Sequence, residues 1–364
     1  MSSPGTLGGK KMRVAKVQPW RGGCALPRHV WAAFLMLTAA WVVVACSSSE
    51  IASPSGTSDS TETSDASDVD QVLTNVGDIS TFAGTGDPGF EGDDGFAAQA
   101  KIYAPSGIAL DNEGNLYVTT SEHRVRKVAV ATGVISTIAG TGSNGDFGDG
   151  GPAVQAGFNG PRGLAVDEGG NVYVSDFANN RIRKIDATTG IITTVAGGGL
   201  GDPLKQQLGD GGLATDALVR EPLDVAIDNQ GNLFIVAKHR LRKVDLAGVI
   251  TSVAGTGSRA LSGDGGPAQD AGLAEPEGVA VDASYNIYIA DADNHRVRRI
   301  DGATDVITTL AGQGEFHKRR GNTLYDFDRA GTGGGYSGDA GPATSAKLRL
   351  PGAVAVDRHG DVFI

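Results

Sequence analysis

One short motif, Gly-Asp-Gly-Gly-Pro-Ala, recurs along this sequence in close variants and constrains the fold more than any other feature. Its five versions begin at Gly92, Gly148, Gly209, Gly263 and Gly338. A motif that returns at quasi-regular spacing indicates an array of similar structural units rather than one irregular domain. The chain therefore supplies its own internal alignment, and each unit can be compared with the others.

Each unit contains four short segments with the patterns of β-strands. In the second unit they are Leu-Ala-Val-Asp at 164–167, Val-Tyr-Val at 172–174, Ile-Arg-Lys-Ile at 182–185 and Ile-Thr-Thr-Val-Ala at 192–196. Large aliphatics alternate with alanine in the first segment, which suits an inner strand where space is limited. Turns rich in Gly and Asn join the first two segments, as in β-hairpins. We therefore predict an all-β fold in which four-stranded antiparallel sheets repeat radially as the blades of a β-propeller.

Two segments in particular resemble a known repeat. The sequences GLAVD…NVYVSDFANNRIRKID at 163–186 and GVAVD…NIYIADADNHRVRRID at 278–301 resemble NHL repeats, and the resemblance extends over roughly residues 79–364. It implies a propeller of NHL blades, which commonly number six. About five blades are represented, with an unmatched fourth strand at 79–83 and an unmatched first pair at 354–364. One alternative is closure of the ring, in which residues 79–83 pair into the sheet begun by 354–364. Because the third strand of that sheet is missing, we expect instead that the given sequence ends in mid-blade and that the intact protein is six-bladed.

The first 45 residues differ from the rest of the chain. They carry six basic residues and no acidic one, and they end in a mostly apolar run from Val30 to Ala45. A run of this length suits the apolar core of a signal peptide better than a bilayer-spanning helix, although a plain membrane anchor remains an alternative. The run closes with Val-Val-Ala before Cys46, which resembles the lipobox of bacterial lipoproteins. We therefore predict a lipoprotein signal peptide at 1–45 and lipidation of Cys46.

Composition then divides the mature chain. Residues 46–75 are rich in Ser, Thr and Asp and contain almost no large apolar side chains, so we predict a flexible tether. We expect residues 76–364 to form the propeller domain and this domain to be incomplete at its C-terminal end. Removal of the signal changes the net charge from −11 to −17, which disfavours nucleic acid as a partner. We expect the lipid alone to contact the membrane of the bacterial cell envelope. Ser47 after the lipid site favours the outer membrane if the organism has one.

Strand polarity predicts where ligands would bind. Antiparallel strands place the turn between the second and third strands on the same rim as the connector, the segment that links a fourth strand to the next first strand. Loops on a rigid scaffold often carry function. The long last connector adds clustered cations and aromatics, although a solvated insertion without a partner would look the same. The candidate rim residues are Asp149, Asp210, Asp264 and Asp339 in the repeated loops, Asp176 and Asp291 in the second-to-third turns, and Arg319, Arg320 and Tyr325 in the last connector.

The repeated loop also has a structural interpretation, which we favour. Gly provides unusual backbone dihedrals, Asp accepts hydrogen bonds at turns, and Pro begins a short helix. A calcium site is the alternative, but the spacing is not that of an EF-hand. Three histidines, His123, His239 and His295, could hold zinc. Asn180 replaces the histidine in the second blade, so we favour hydrogen bonds between blades. The basic pairs of the third strands, such as Arg183-Lys184, are interpreted as a solvated face.

The function predicted from these features is a binding module. We expect a lipid-anchored propeller that recognises a protein, peptide or polysaccharide through loops on one rim, without a required cofactor. No G-x-S-x-G, H-E-x-x-H or Walker sequence is present. The alternative is a metal-dependent enzyme, because some NHL-like propellers are lyases and related six-bladed propellers include lactonases. Whether the chain is an enzyme stays open, and bound calcium or zinc that is lost on changes at His295 or Asp264 would favour the enzyme.

Overall fold

A computed structural model describes residues 35–37, 40–42, 79–199, 208–314 and 335–364. Near the N-terminus two short strands, β1 (Leu35–Leu37) and β2 (Ala40–Val42), pair antiparallel. Among the described ranges, no helix combines the length and the apolar character needed to cross a bilayer. The predicted signal peptide, the tether and Cys46 lie largely or wholly outside these ranges.

The rest of the described chain folds into consecutive antiparallel sheets. Each of the first four sheets, called blades 1 to 4, has four strands hydrogen-bonded in sequence order. The strands of blade 1 are β3 (Pro105–Leu110), β4 (Leu116–Thr120), β5 (Arg124–Ala129) and β6 (Val134–Ala139); those of blade 2 are β7 (Pro161–Val166), β8 (Val172–Asp176), β9 (Arg181–Ile185) and β10 (Ile192–Gly197). Blade 3 has β11 (Pro222–Ile227), β12 (Leu233–Ala237), β13 (Arg240–Val244) and β14 (Ile250–Ala254); blade 4 has β15 (Pro276–Val281), β16 (Ile287–Asp291), β17 (Arg296–Ile300) and β18 (Ile307–Ala311). A fifth sheet contains β19 (Ala355–Val356) and β20 (Val362–Phe363).

Within the described residues, helical structure is confined to single turns. Short 3-10 helices occur in the connectors at Ala97–Gln99, Ala153–Gln155, Ala214–Asp216, Ala268–Asp270 and Ala343–Ser345, and in two second-to-third turns at Phe177–Asn179 and Ala292–Asn294. The all-β propeller architecture predicted from the repeat is thus confirmed.

The hairpin between the first and second strands of each blade is held by one aspartate. In blade 2, Asp167 Oδ1 accepts the backbone N–H of Asn171 at 2.8 Å, and Asp167 Oδ2 accepts the Asn171 amide at 2.8 Å. The hydroxyl of Tyr173 donates to the same Oδ2. The aspartate therefore fixes the turn and anchors the aromatic ring of the second strand, and equivalent contacts recur at Asp111 and Asp282.

Inner strands of neighbouring blades lie side by side and approach closely. A Cβ added to Gly107 on β3 would lie 2.5 Å from the carbonyl oxygen of Arg162 on β7. Only a residue without a side chain fits there, because any Cβ would collide with the backbone of the next blade. This convergence explains the small residues in the first strand of each unit.

The hydrophobic core consists of layers between successive blades. Between blades 1 and 2, Tyr117 and Val125 pack with Leu164 and Val174, and Phe158 of the connector enters the same layer. The aromatic residues of the second strands therefore fill the gaps between sheets, as their position in the repeat predicts. Each blade is stabilised mainly by its neighbours, which is expected of a repeat array.

The two ends of the described array differ from the expectation. Residues 79–83 match the fourth-strand pattern but form no strand, so the closure alternative, in which they pair with the fifth sheet, is wrong. They approach blade 1 instead, because Ala83 packs with Ile102, Val128 and Ile135. On the same blade Ile108 is 50% exposed, whereas its counterparts Leu164, Val225, Val279 and Val354 are 2% to 8% exposed. Among the described residues, nothing covers this part of blade 1 as a preceding blade would.

Candidate functional site

The Gly-Asp-Gly-Gly-Pro-Ala stretch lies along the outer edge of each blade. In blade 2 the N–H of Gly150 donates to the carbonyl oxygen of Ile192 at 2.8 Å, and the N–H of Ile192 donates to Gly151 at 3.0 Å. Ile192 pairs with Ile185, the last residue of β9, and so lies at the end of the blade away from the connector rim. The prediction that this stretch shares a rim with the second-to-third turns is therefore wrong. The connector that contains this stretch begins at that rim and then runs along β10 toward the opposite end of the blade.

The same edge pairing recurs in the other three blades. Asp94, Gly211 and Gly265 donate to the carbonyl oxygens of Ile135, Ile250 and Ile307, each at 2.8 Å. An uncovered outer strand would present unpaired backbone groups, which promote aggregation. The connector therefore closes the edge of the blade that follows it.

In blades 1 to 4 the repeated aspartate forms an ion pair with a buried arginine of the third strand. The shortest N–O distances are 2.5 Å for Arg126–Asp93, 2.6 Å for Arg183–Asp149, 2.5 Å for Arg242–Asp210 and 2.7 Å for Arg298–Asp264. The arginine side chains are at most 2% exposed. The interpretation of the third-strand cations as a solvated face is thus wrong for the arginines. It holds better for Lys184, which lies on the opposite face of β9 and is 28% exposed.

Asp149 and Arg183 join three elements of blade 2. Arg183 also donates to the carbonyl oxygens of Gly157 at 2.8 Å and Phe147 at 3.3 Å, both in the connector. The second carboxylate oxygen of Asp149 accepts the backbone N–H of Thr194 at 3.1 Å and its hydroxyl at 2.5 Å. The ion pair therefore ties the connector to β9 and β10, and both carboxylate oxygens are engaged.

The two aspartates predicted in the second-to-third turns are fully buried. Asp176 accepts the N–H of Asn159 at 2.8 Å and the side-chain amide of Asn179 at 2.9 Å, and it lies 3.7 Å from Arg183. Burial raises the pKa of Asp176 above its ordinary value, against the opposing effect of these partners. Asp176 and Asp149 are thus brought to one arginine.

Blade 4 repeats this arrangement with Asp264, Asp291 and Arg298. Asp291 accepts the N–H of Ala274 and the amide of Asn294, each at 2.7 Å, and lies 3.4 Å from Arg298. Burial raises its pKa to about 6. Blades 1 and 3 have Thr120 and Ala237 at this place, so the three-residue cluster belongs to alternate blades.

The histidines of the repeat connect neighbouring blades. Nδ1 of His123, His239 and His295 accepts a backbone N–H from Gly160, Glu275 and Leu350 at 3.1, 3.3 and 3.1 Å. In blade 2 the side-chain oxygen of Asn180 accepts the N–H of Glu221 at 2.8 Å. Each acceptor binds the backbone N–H of the residue before the proline at the start of the next blade. The hydrogen bonds between blades that the exchange of Asn for His predicted are thus confirmed. Within the described residues, no group of three or more His, Cys, Asp or Glu converges to hold a metal ion.

The remaining candidates are dispersed. Asp339 is exposed in the connector before the fifth sheet and accepts the hydroxyl of Tyr336 at 2.6 Å. Arg319, Arg320 and Tyr325 lie outside the described residues, as does Cys46. The structure therefore gathers two pairs of predicted aspartates, one in blade 2 and one in blade 4, and not a single ring.

Asp224 is an acidic residue that sequence reasoning missed. It occupies the place on β11 where β3, β7 and β15 have Gly107, Gly163 and Gly278. Its carboxylate accepts the N–H of Val225 at 2.9 Å and, across the blade boundary, the N–H of Val279 at 3.0 Å. Burial between the inner strands raises the pKa of Asp224 to about 7. The signal was present in the repeat, because a lone acid replaces glycine there.

Several paired side chains lie on the connector rim. The Arg162 guanidinium stacks 4.6 Å from the centroid of Phe177 in blade 2. Ion pairs join Arg181 to Asp146 at 3.0 Å and Lys238 to Glu221 at 2.6 Å. The rim thus combines an aromatic ring with cations and anions on ordered elements.

Comparison with known proteins agrees with this architecture. The NHL repeat model matches residues 158–185 and 273–300, and the model of the teneurin NHL domain matches residues 199–262. The fold and these matches define a β-propeller built from NHL repeats. These matches support an NHL-repeat family for the chain.

Curated relatives share the repeats over part of their length. SUPPRESSOR OF QUENCHING 1, a chloroplastic protein of Arabidopsis thaliana, is 26% identical over 65% of this chain and 23% of its own. Human teneurin-1 is 28% identical over 62% and 8%, and NHL repeat-containing protein 2 of Bos taurus is 24% identical over 66% and 44%. The chain thus spans between 8% and 44% of the length of these relatives.

Solved structures of similar shape have low sequence identity. An auxiliary nutrient binding protein from Bacteroides ovatus has a TM-score of 0.43 and 16% identity, with 77% of this chain and 71% of that chain covered. A streptogramin B lyase has a TM-score of 0.40 and 13% identity, with 71% and 60% covered.

Proposed function

We propose that this protein is a lipid-anchored NHL propeller of the bacterial cell envelope that binds a protein, peptide or polysaccharide through its connector rim. The observation that carries the proposal is the set of buried arginine–aspartate pairs. They fasten each connector to the blade that follows it, so the loops above them are presented on a rigid support. Preorganised loops bind with less loss of conformational entropy than mobile ones do.

The rim has the chemistry of a recognition surface. Arg162 stacked on Phe177 offers a flat, amphipathic face with a cation, a combination that suits peptide backbones and sugar rings. In contrast, the aspartates that a metal-dependent reaction would need are engaged by arginines or by backbone N–H groups. These contacts favour the binding module over the metal-dependent enzyme.

The anchor is proposed from the sequence. The apolar run up to Ala45 followed by Cys46 supports lipidation, and Ser47 supports delivery to an outer membrane where one exists. In cells that express the full chain, we expect the protein to incorporate a radiolabelled fatty acid and Cys46→Ser to abolish the label. A parent chain that takes up no label would contradict lipid anchoring and favour an uncleaved N-terminal anchor.

Binding is tested with arrays of bacterial envelope polysaccharides and peptides probed with the purified full chain. We expect Phe177→Ala to lower the signal of a bound array ligand at least tenfold, because stacking area is lost at the rim. Tyr285→Ala is the matched control, since Tyr285 is an aromatic residue in a turn on the opposite rim. Equal losses for the two variants, or binding unaffected by Phe177→Ala, would contradict recognition at the connector rim.

A further inference from the structure

One residue at the start of blade 4 faces both ring nitrogens of His239. Nδ1 of His239 accepts the backbone N–H of Glu275 at 3.3 Å, and Nε2 lies 3.9 Å from the Glu275 carboxylate. At the other two histidine contacts the N–H comes from Gly160 and Leu350, and neither of these residues has an acidic side chain. The boundary between blades 3 and 4 therefore combines the blade-to-blade hydrogen bond with an acid beside the same ring.

This hydrogen bond requires a neutral imidazole. A neutral ring has one acceptor nitrogen and one donor nitrogen, whereas a protonated ring has two donors. Because Nδ1 of His239 is the acceptor, Nε2 carries the hydrogen. A second proton would go to Nδ1 and would set two N–H groups against each other, so the bond to Glu275 would be lost. Asn180, which makes the equivalent contact to Glu221, gains no proton in the same pH range.

Charged side chains surround the His239 ring on each neighbouring element. They are Lys238 in the same turn, Arg259 and Glu275 in the following connector, and Asp293 in the second-to-third turn of blade 4. Burial has the largest effect and lowers the pKa of His239 below its ordinary value; the two cations act with it, and the two carboxylates oppose it. The side chain is still 13% exposed, so protons from solvent reach it. The contact is therefore intact above a pH of about 6.5 and is weakened as pH falls below this value.

The contact holds Glu275 in a strained backbone conformation. Glu275 has φ +45°, a left-handed value that residues other than glycine seldom adopt, and it precedes the proline that opens β15. The carbonyl oxygen of the preceding residue, Ala274, accepts the N–H of Asp293, so the same stretch supports the second-to-third turn of blade 4. Loss of the contact at Glu275 therefore affects two loops of the connector rim.

We propose that His239 is a pH-sensitive contact of the connector rim: protonation of its ring breaks the hydrogen bond to Glu275 and loosens the rim between blades 3 and 4. A loosened rim binds ligand more weakly, because its loops must be ordered again on binding. This consequence for binding rests on the proposed function, whereas the loosening itself does not.

Amide hydrogen exchange followed by NMR tests the contact in the purified full chain labelled with ¹⁵N-glutamate. Protection factors remove the intrinsic effect of pH on exchange, and the Glu221 amide is the internal control because Asn180 holds it. We expect protection of the Glu275 amide to fall about tenfold from pH 7.5 to pH 5, because a released histidine of ordinary pKa is mostly protonated at pH 5. Protection of the Glu221 amide should change less than about twofold.

His239→Asn is the matched variant, because Asn keeps an acceptor at this place, as Asn180 does in blade 2, but gains no proton. We expect it to retain protection of the Glu275 amide at pH 7.5 and to lose the dependence on pH. The two amides of the parent chain decide the question even where the variant fails to fold. Equal protection of Glu275 at both pH values, an equal fall at Glu221, or the same fall in His239→Asn would each overturn the proposal.

Exchange is measured without a ligand, so it separates this inference from the proposed function. A ligand identified on the arrays should bind the parent chain about threefold or more weakly at pH 5 than at pH 7.5, and should bind His239→Asn equally at both. A ligand that binds the parent chain equally at both pH values would overturn control of binding by His239. Arrays without any bound ligand would contradict the proposed function, while the exchange result would still decide the pH-sensitive contact.

Discussion

At the scale of single residues, carboxylates in similar sequence positions have different environments. Asp167 and its counterparts lie in the hairpins between first and second strands, where hydrogen bonds from Asn and Tyr hold the pKa of Asp111 and Asp282 below the ordinary range, against the effect of burial. Asp224 and Asp291 lie between packed strands, where burial raises the pKa. The two groups should therefore affect stability in different pH ranges.

Asp224 should make the protein less stable as pH rises toward 8. Its pKa is about 7 in the folded chain and about 3.9 in an unfolded one, so between these values the folded state holds a proton that the unfolded state releases. Stability is therefore greatest at the acidic end of this window and is lost as pH rises through about 7. We expect Asp224→Gly to make the dependence shallower, since glycine occupies this place in three other inner strands. Urea unfolding from pH 5 to 8 measures this, and an unchanged slope would contradict a raised pKa of Asp224.

Asp149 should stabilise blade 2 mainly by neutralising Arg183. Asp149→Asn removes the nearer of the two carboxylates that face the buried Arg183 guanidinium and should lower the free energy of unfolding by about 1 to 3 kcal/mol, because hydrogen bonds to a charged group are lost. Replacing Arg183 with Met in the same chain should recover part of that loss, since the guanidinium that lost its nearer partner is gone. Chemical denaturation of the two variants, with Asp216→Asn as control, provides the measurement. Additive losses from the two changes would argue against a coupled pair.

His123 should act as a hydrogen-bond acceptor and not as a metal ligand. His123→Asn should retain stability, because Asn180 makes the equivalent contact in blade 2, whereas His123→Ala should cost about 1 kcal/mol. Thermal unfolding with and without a chelator separates the two roles. A midpoint that falls on chelation in the parent chain but not in His123→Ala would instead support a metal site.

Some of these roles could be predicted from sequence and some could not. The exchange of His for Asn identified a shared acceptor, because both side chains can accept a backbone N–H. Asp176 was a candidate site residue because aspartate is a common ligand-binding residue type, and the residue type alone does not show that the side chain is buried. Its burial depends on Asn159 of the connector and Arg183 of the next strand, contacts that one repeat taken alone does not show.

At the scale of elements, the strands followed from their two-residue period, but the path of the connectors did not. The edge contacts of Gly150 and Gly151 with Ile192 join residues far apart in sequence, and glycines carry no side-chain pattern that would reveal them. The segment 79–83 shows the converse. It has the fourth-strand pattern but lacks a third strand beside it, and pattern alone does not make a sheet.

Gly148 and Gly150 form a matched pair of positions for testing how the connector packs. Both have positive φ, +97° and +81°, so alanine should strain either one by about 1 to 2 kcal/mol. A Cβ on Gly148 would also lie 2.7 Å from the Cα of Ala156, whereas one on Gly150 meets nothing within 4 Å. We therefore expect Gly148→Ala to destabilise the protein clearly more than Gly150→Ala does in chemical denaturation. Equal effects would mean that the connector does not pack as described.

At the scale of the whole molecule, the repeat produces cohesion by linking every blade to the next. Apolar layers lie between blades, the His and Asn contacts join one blade to the start of the next, and the aspartates fasten each connector. The fold class was predictable because these features recur in a fixed order along the chain. The blade number of the intact protein stays a prediction, and the exposed Ile108 shows where a preceding blade would pack.

A crystal structure of the full chain tests the central claim, that the repeated aspartates support a ring of blades from its outer edges. We expect β3, β7, β11 and β15 to surround one axis, with Asp149, Asp210 and Asp264 seated on the buried arginines of the third strands. A straight stack of sheets, or aspartates turned toward an ion at the axis, would contradict it.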